Sequence, residues 1–205
     1  MPYLRRTVGP LAENAYLYWR GNEGVLIDPG DAPEAIEAAL KAAGFTPKAI
    51  LLTHAHFDHL GAVAPLAKAH GLPVYLHQDD LWLYEHAGRL AQAFGYRVET
   101  PPPPAGFLKE GDAFLGLKVL HLPGHSPGHL GFYEPEAGLL FSGDVLFRGS
   151  VGRYDLPGSD QEALWRSLNR LLSLPEATRV LPGHGEATTI GREARENPFL
   201  LGGLP

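Results

Sequence analysis

The sequence predicts an α/β protein whose helices cover its sheets. Two observations carry that prediction. Short apolar runs recur along the chain, and several are followed by a segment with helical signals. The pattern occurs twice, once on each side of the run Thr100-Pro101-Pro102-Pro103-Pro104-Ala105-Gly106.

In the first half, Ala15-Tyr16-Leu17-Tyr18-Trp19 and Gly24-Val25-Leu26-Ile27-Asp28 read as paired strands, with Gly21-Asn22 near their turn. Residues 33–43 read as a helix, because Pro33 suits a first turn and Gly44 suits the left-handed end. Ala49-Ile50-Leu51-Leu52-Thr53 reads as a buried strand. A helix from Leu60 to about His70 and a strand over 73–77 come next. Asp79 and Asp80 can cap a helix from Leu81 to about Gly88. The proline run cannot be helix or central strand, and is expected to join the halves near 100–106 across the surface. In the second half, strands are expected near 112–122, 130–134, 138–142 and 179–182. Ser159-Asp160-Gln161-Glu162 has the form of a capping box and opens a helix to about Ser173. Residues 1–205 are expected to form a single domain, since this length does not require two.

Composition narrows the function classes. Hydrophobic content of 44% and charged content of 20% describe an ordinary globular chain. A net charge of −6 and the lack of a basic run argue against nucleic acid as partner. No apolar stretch is long enough for a membrane span, and residues 1–7 lack a hydrophobic signal core, so a cytoplasmic location is expected. Without cysteine, any metal site must use His, Asp and Glu.

The most informative run is His54-Ala55-His56-Phe57-Asp58-His59. An isolated histidine is most simply a loop residue, but four potential ligands in six positions point to a metal site. If the chain stays extended past Thr53, His54, His56 and Asp58 face one side, with His59 toward a neighbouring point. Three later runs repeat the pattern of an apolar strand ending in a ligand turn. They are Gly124-His125-Ser126-Pro127-Gly128-His129, Ser142-Gly143-Asp144 and Pro182-Gly183-His184-Gly185. Glycine beside each later ligand lets the backbone approach a bound ion. Imidazole and carboxylate together suit zinc, iron or manganese. His70 and His86 fall on predicted helices and read as surface residues, His77 and His121 stay open, and Trp19, Trp82 and Trp165 read as packing residues.

Together, T-H-A-H-F-D-H, P-G-H-S-P-G-H, S-G-D and P-G-H-G resemble the metallo-β-lactamase superfamily in order and spacing. The resemblance implies a four-layer αββα sandwich with two adjacent divalent metal ions. His54, His56 and His125 would hold one ion, Asp58, His59 and His184 the other, and Asp144 would bridge them. Zinc is the first expectation, with iron or manganese as alternatives. The resemblance further implies that Asp28 orients ligands from behind, and His129 is expected to support its turn rather than to coordinate.

Within the superfamily the chain looks most like the short glyoxalase II-like (hydroxyacylglutathione hydrolase-like) group. Asn14-Ala15-Tyr16, Gly152-Arg153-Tyr154-Asp155-Leu156-Pro157-Gly158 and Asn197-Pro198-Phe199 carry that likeness. It implies a metal-dependent hydrolase that cleaves a small, glutathione-type thioester with a metal-bridging hydroxide. Asp58 would orient the hydroxide, and Arg153 and Tyr154 would contact the substrate. Asp155 and Glu186 stand where full-length glyoxalase II has glutathione-holding tyrosines, and about twenty residues follow His184 where that enzyme has a helical C-terminal domain. The lactamases are disfavoured. One type needs a Cys ligand, and another lacks an aspartate at the position of Asp144. The alternative is a mono-iron persulfide dioxygenase, using the equivalents of His54, His125 and Asp144. A non-catalytic metal-stabilised binding module ranks last, because a complete site with an open water position seldom serves structure alone.

Overall fold

The computed structural model describes residues 3–202. The chain divides into two compact units between Leu108 and Lys109.

The first unit is built from β1 (Tyr3–Val8), β2 (Glu13–Arg20), β3 (Glu23–Ile27), α1 (Pro33–Ala43), β4 (Thr46–Leu51), α2 (Val63–His70), β5 (Val74–Leu76), α3 (Leu81–Ala93) and β6 (Gly106–Phe107). Its six strands lie in sequence order in one sheet. β1, β2 and β3 pair antiparallel, and from β3 onward the neighbours β4, β5 and β6 pair parallel. Parallel strands need crossover connections, and α1, α2 and α3 supply them. Leu17, Leu26, Ile50 and Val74 of the sheet pack with Ile36, Leu66 and Leu83 of the helices. Burying each such side chain contributes about 1.5–3 kcal/mol.

Gly44 ends α1 in the left-handed conformation, and Pro33 opens it, as the sequence predicts. Helix α3 continues to Ala93, beyond the expected stop at Gly88. An interior glycine costs a helix about 1 kcal/mol. The buried Ala87 and Ala91 on either side of it hold the helix together. The true stop is at Gly95, where φ is 81° and the N–H of Tyr96 donates back to the carbonyl of Ala91. The proline run belongs to the first unit. The Tyr84 hydroxyl donates to the Pro102 carbonyl at 2.7 Å, and the Ala105 N–H to Val74 at 2.9 Å. Trp19 stacks on Phe45, but Trp82 is half exposed and stacks on His86, so it is not a core residue.

The second unit comprises β7 (Ala113–Phe114), β8 (Leu117–His121), β9 (Leu130–Glu134), β10 (Leu139–Gly143), β11 (Leu146–Phe147), β12 (Ser150–Val151), α4 (Gln161–Leu172), β13 (Arg179–Pro182), β14 (Thr188–Thr189), α5 (Ile190–Glu196) and α6 (Pro198–Leu201). Six strands form a sheet in the order β14-β13-β10-β9-β8-β7, and β11 and β12 pair apart from it. The strand expected across 112–122 is a hairpin instead. Leu115 and Gly116 both take positive φ, as a tight two-residue turn requires. Leu140 and Val180 of the sheet pack against Leu164, Leu168 and Leu171 of α4 and Ile190 of α5. Among the described residues no helix is long and apolar enough to cross a membrane.

The capping box is shifted from its expected register. Asp160, not Ser159, caps α4, accepting from the N–H of Ala163 at 2.8 Å. Ser159 instead donates its hydroxyl to the carbonyl of His125 at 2.9 Å. Asp160→Ala should therefore lower stability by about 1 kcal/mol. An unchanged denaturant midpoint in that variant would place the cap elsewhere.

Candidate metal centre

In the first unit the ligand-rich run leaves the end of β4. Leu52 and Thr53 are buried, and His56 is still extended. The extended path then fails, because Phe57–His59 form a single 3-10 turn closed by the His59 N–H on the His56 carbonyl at 3.0 Å. Asp58 is thus delivered by a turn, not by strand alternation. The ring centroid of His54 lies 4.7 Å from that of His56 and 4.1 Å from that of His59. An Asp58 oxygen lies 3.8 Å from Nε2 of His59. His54 and His59 are buried, and His56 and Asp58 are partly exposed.

Asp28 fastens this cluster. One of its oxygens accepts from the Thr53 N–H at 2.7 Å, and the other from the Thr53 hydroxyl at 2.6 Å. The second oxygen also lies 3.2 Å from Nδ1 of His59. The Thr53 hydroxyl lies 3.1 Å from Nδ1 of His54. With the Nδ1 edges of both rings turned to these groups, Nε2 is the nitrogen each ring presents to a metal. Asp28 itself sits at φ 49°, a left-handed conformation that Asp tolerates better than most residues. Its neighbour Gly30 admits no side chain. A Cβ there would stand 1.9 Å from the carbonyl oxygen of Asp58.

Two further buried acids support the run, and neither was assigned to it from sequence. Asp80 reads as a helix cap, yet makes no such bond, and accepts from the Ala55 N–H at 3.1 Å. Glu13 is 1% exposed and brings an oxygen to 3.8 Å from Nδ1 of His59. Both act across the fold on residues far away in sequence. The only local signal is an acid inside or beside an apolar run.

The second unit gathers His125, Asp144 and His184. One oxygen of Asp144 lies 3.7 Å from Nε2 of His125 and 3.6 Å from Nε2 of His184. His129 is buried, and its Nε2 accepts from the Asp144 N–H at 3.0 Å. Nδ1 of His125 lies 2.9 Å from the carbonyl oxygen of Arg153, which assigns the ring proton to Nδ1 and leaves Nε2 for coordination. The turns carrying Asp144 and His184 are tied by the Gly183 N–H on the Gly143 carbonyl at 2.9 Å. Gly152 makes the second close approach. A Cβ on it would stand 1.9 Å from the Asp144 carbonyl.

The expected substrate contacts lie beside this group. Arg153 is mostly exposed, and its guanidinium makes two bonds to Asp155, at 2.9 and 3.0 Å. That pairing raises the Arg153 pKa and lowers that of Asp155. Tyr154 is exposed, with its ring 6.3 Å from that of Trp165. The remaining histidines make other polar contacts. His70 lies 2.6 Å from a Glu37 oxygen, His86 reaches the Trp82 carbonyl, His77 accepts from the Asp79 N–H, and His121 reaches the Pro127 carbonyl.

The donor set fits a divalent metal. It consists of imidazole nitrogens and carboxylate oxygens, several of them held by a second polar group. Asp28→Ala should weaken metal binding about 10–100-fold, the range for losing an orienting partner. Calorimetric titration of the metal-free protein measures this, and an unchanged affinity would rule Asp28 out of that role.

The family model of the metallo-beta-lactamase superfamily matches residues 8–184. A probable metallo-hydrolase, YqgX of Bacillus subtilis, is 44% identical over 98% of this chain and 99% of its own. The hydroxyacylglutathione hydrolase GloC of Haemophilus influenzae is 38% identical over 92% of each. Among solved structures, TTHA1623 in a di-iron-bound form is 62% identical with a TM-score of 0.93, covering 96% of this chain and 100% of its own. The B3 metallo-beta-lactamase BLEG-1 is 43% identical with a TM-score of 0.90, covering 97% and 99%.

Proposed function

Since the chain belongs to the metallo-β-lactamase superfamily, we propose that it is a two-metal hydrolase of small thioesters, of the glutathione type. The observation that carries the reading is the single Asp144 oxygen set between the Nε2 atoms of His125 and His184. One carboxylate facing two imidazoles is what a bridging ligand requires. In this reading His54, His56 and His125 hold one ion, Asp58, His59 and His184 hold the other, and Asp144 is common to both. The ions are proposed to be zinc, with iron the first alternative because the relative TTHA1623 was solved with two irons.

When bound, such a pair supplies an acidified water as nucleophile and positive charge to face the developing oxyanion. The residues supply the rest. Asp58 holds the proton of that nucleophile and so aims it at the carbonyl. Asp28 and Thr53 keep His59 and His54 from turning. A thiol has a pKa near about 8.5, so a thiolate leaves without a general acid, whereas an amide nitrogen must be protonated. That difference favours a thioester for this site. The likeness to GloC supports the glutathione carrier, and the likeness to BLEG-1 makes a β-lactam the competing substrate. Arg153 and Tyr154 are proposed to hold the carrier.

Metal content, turnover and substrate preference test this. Asp144→Ala should retain at most one metal by elemental analysis and lose at least about a hundredfold in turnover, more than outer contacts cost. Near-normal metal content and rate in that variant would end the bridging assignment. The metal-loaded protein should hydrolyse S-D-lactoylglutathione faster than a β-lactam. Arg153→Ala should raise KM about tenfold with kcat little changed, since a charge-assisted contact is worth roughly 1.5–3 kcal/mol and the carrier is remote from the carbonyl. Preference for the β-lactam would overturn the thioester reading. Oxygen uptake with glutathione persulfide by a one-iron form would move the chain to the dioxygenases.

A further inference from the structure

The segment that carries Gly152 and Arg153 is fastened from behind by buried polar groups on α5 that the mechanism does not use. Glu193 is 1% exposed and Asn197 is fully buried. One Glu193 oxygen accepts from the Gly149 N–H at 2.8 Å and from the Asn197 side-chain amide at 2.9 Å. The other accepts from the Thr188 hydroxyl. The Asn197 amide also donates to the Ser150 carbonyl at 3.0 Å, while its oxygen accepts from the Phe199 N–H at 3.0 Å. The backbone at 149 and 150 is therefore held at two successive residues by α5 and the turn after it.

The next three residues connect this anchor to the proposed ligands. Val151 pairs with Leu146 across the small hairpin, and the Gly152 N–H donates to the Val145 carbonyl at 3.1 Å. Gly152 lies hard against the Asp144 carbonyl, and the Arg153 carbonyl fixes the ring of His125. A shift of the 149–153 backbone would move both contacts at once. We infer that Glu193, with Asn197, is a positioning residue for the metal centre. It acts through the 149–153 segment to set the His125 ring and the Asp144 backbone.

This inference rests on the proposed ligand set, so its test reads metal binding and not turnover. The chemistry separates two variants. Glu193→Ala removes the acceptor of the Gly149 N–H and one of the two acceptors of the buried Asn197 amide, a cost that drives the segment out of place. Glu193→Gln can keep every contact. Its oxygen can accept from Gly149 and Asn197, and its NH2 can donate to the Thr188 hydroxyl, which can also accept. Cobalt(II) titration of the metal-free proteins, followed by visible absorption, reports affinity and the geometry around the ion together. Glu193→Ala should bind cobalt about 10–100-fold more weakly with an altered spectrum, and Glu193→Gln should return to within about threefold of the parent with the parent spectrum. A purely structural role would lower the melting temperature of metal-free Glu193→Ala while leaving cobalt affinity and spectrum unchanged, and that result overturns the inference. So does a Glu193→Gln protein as impaired as Glu193→Ala. Failure of the parent protein itself to bind cobalt would instead overturn the proposed metal site.

Discussion

The histidine cluster in the first unit depends on one buried carboxylate. Asp28 takes three contacts on two oxygens, from the Thr53 backbone, the Thr53 hydroxyl and the His59 ring. Each contact joins the end of β3 to the run beyond β4, two parallel neighbours in the sheet. A buried carboxylate is costly unless several donors satisfy it, and here the donors belong to the loop that bears the ligands. The loop is thus organised by the group that most needs it. Asp80 adds a second buried anchor at Ala55, from the turn before α3.

Close backbone approach is the matching constraint. The proposed ligands Asp58 and Asp144 each have a carbonyl packed against the α-carbon of a glycine, Gly30 in one unit and Gly152 in the other. Neither glycine takes a positive φ. They are required for space, not for conformational freedom, and even alanine would push its neighbouring loop by more than an ångström.

The sequence made the sheets, the main helices and the four His- or Asp-bearing turns legible, because each rests on local signals. Apolar runs mark β4, β9 and β10, and Pro33 and Gly44 bracket α1. It failed where a longer-range contact decides. Asp160 replaces Ser159 as the cap because the Ser159 hydroxyl is drawn to the His125 carbonyl. Helix α3 passes through Gly88 because its alanines are buried. Asp58 leaves the strand pattern because the chain turns at Phe57. The residues behind the ligands were the least legible. Glu13, Asp80 and Glu193 look like ordinary acids in sequence, and only burial reveals them.

The Arg153 carbonyl that holds His125 has an evolutionary consequence. A backbone acceptor survives any exchange of the side chain above it, short of one that moves the chain. Position 153 therefore carries two separable duties. Its main chain serves the imidazole, while its exposed side chain pairs with Asp155. An exchange of that side chain need not disturb the imidazole contact beneath it, so descendants of this scaffold can vary this edge in a single step.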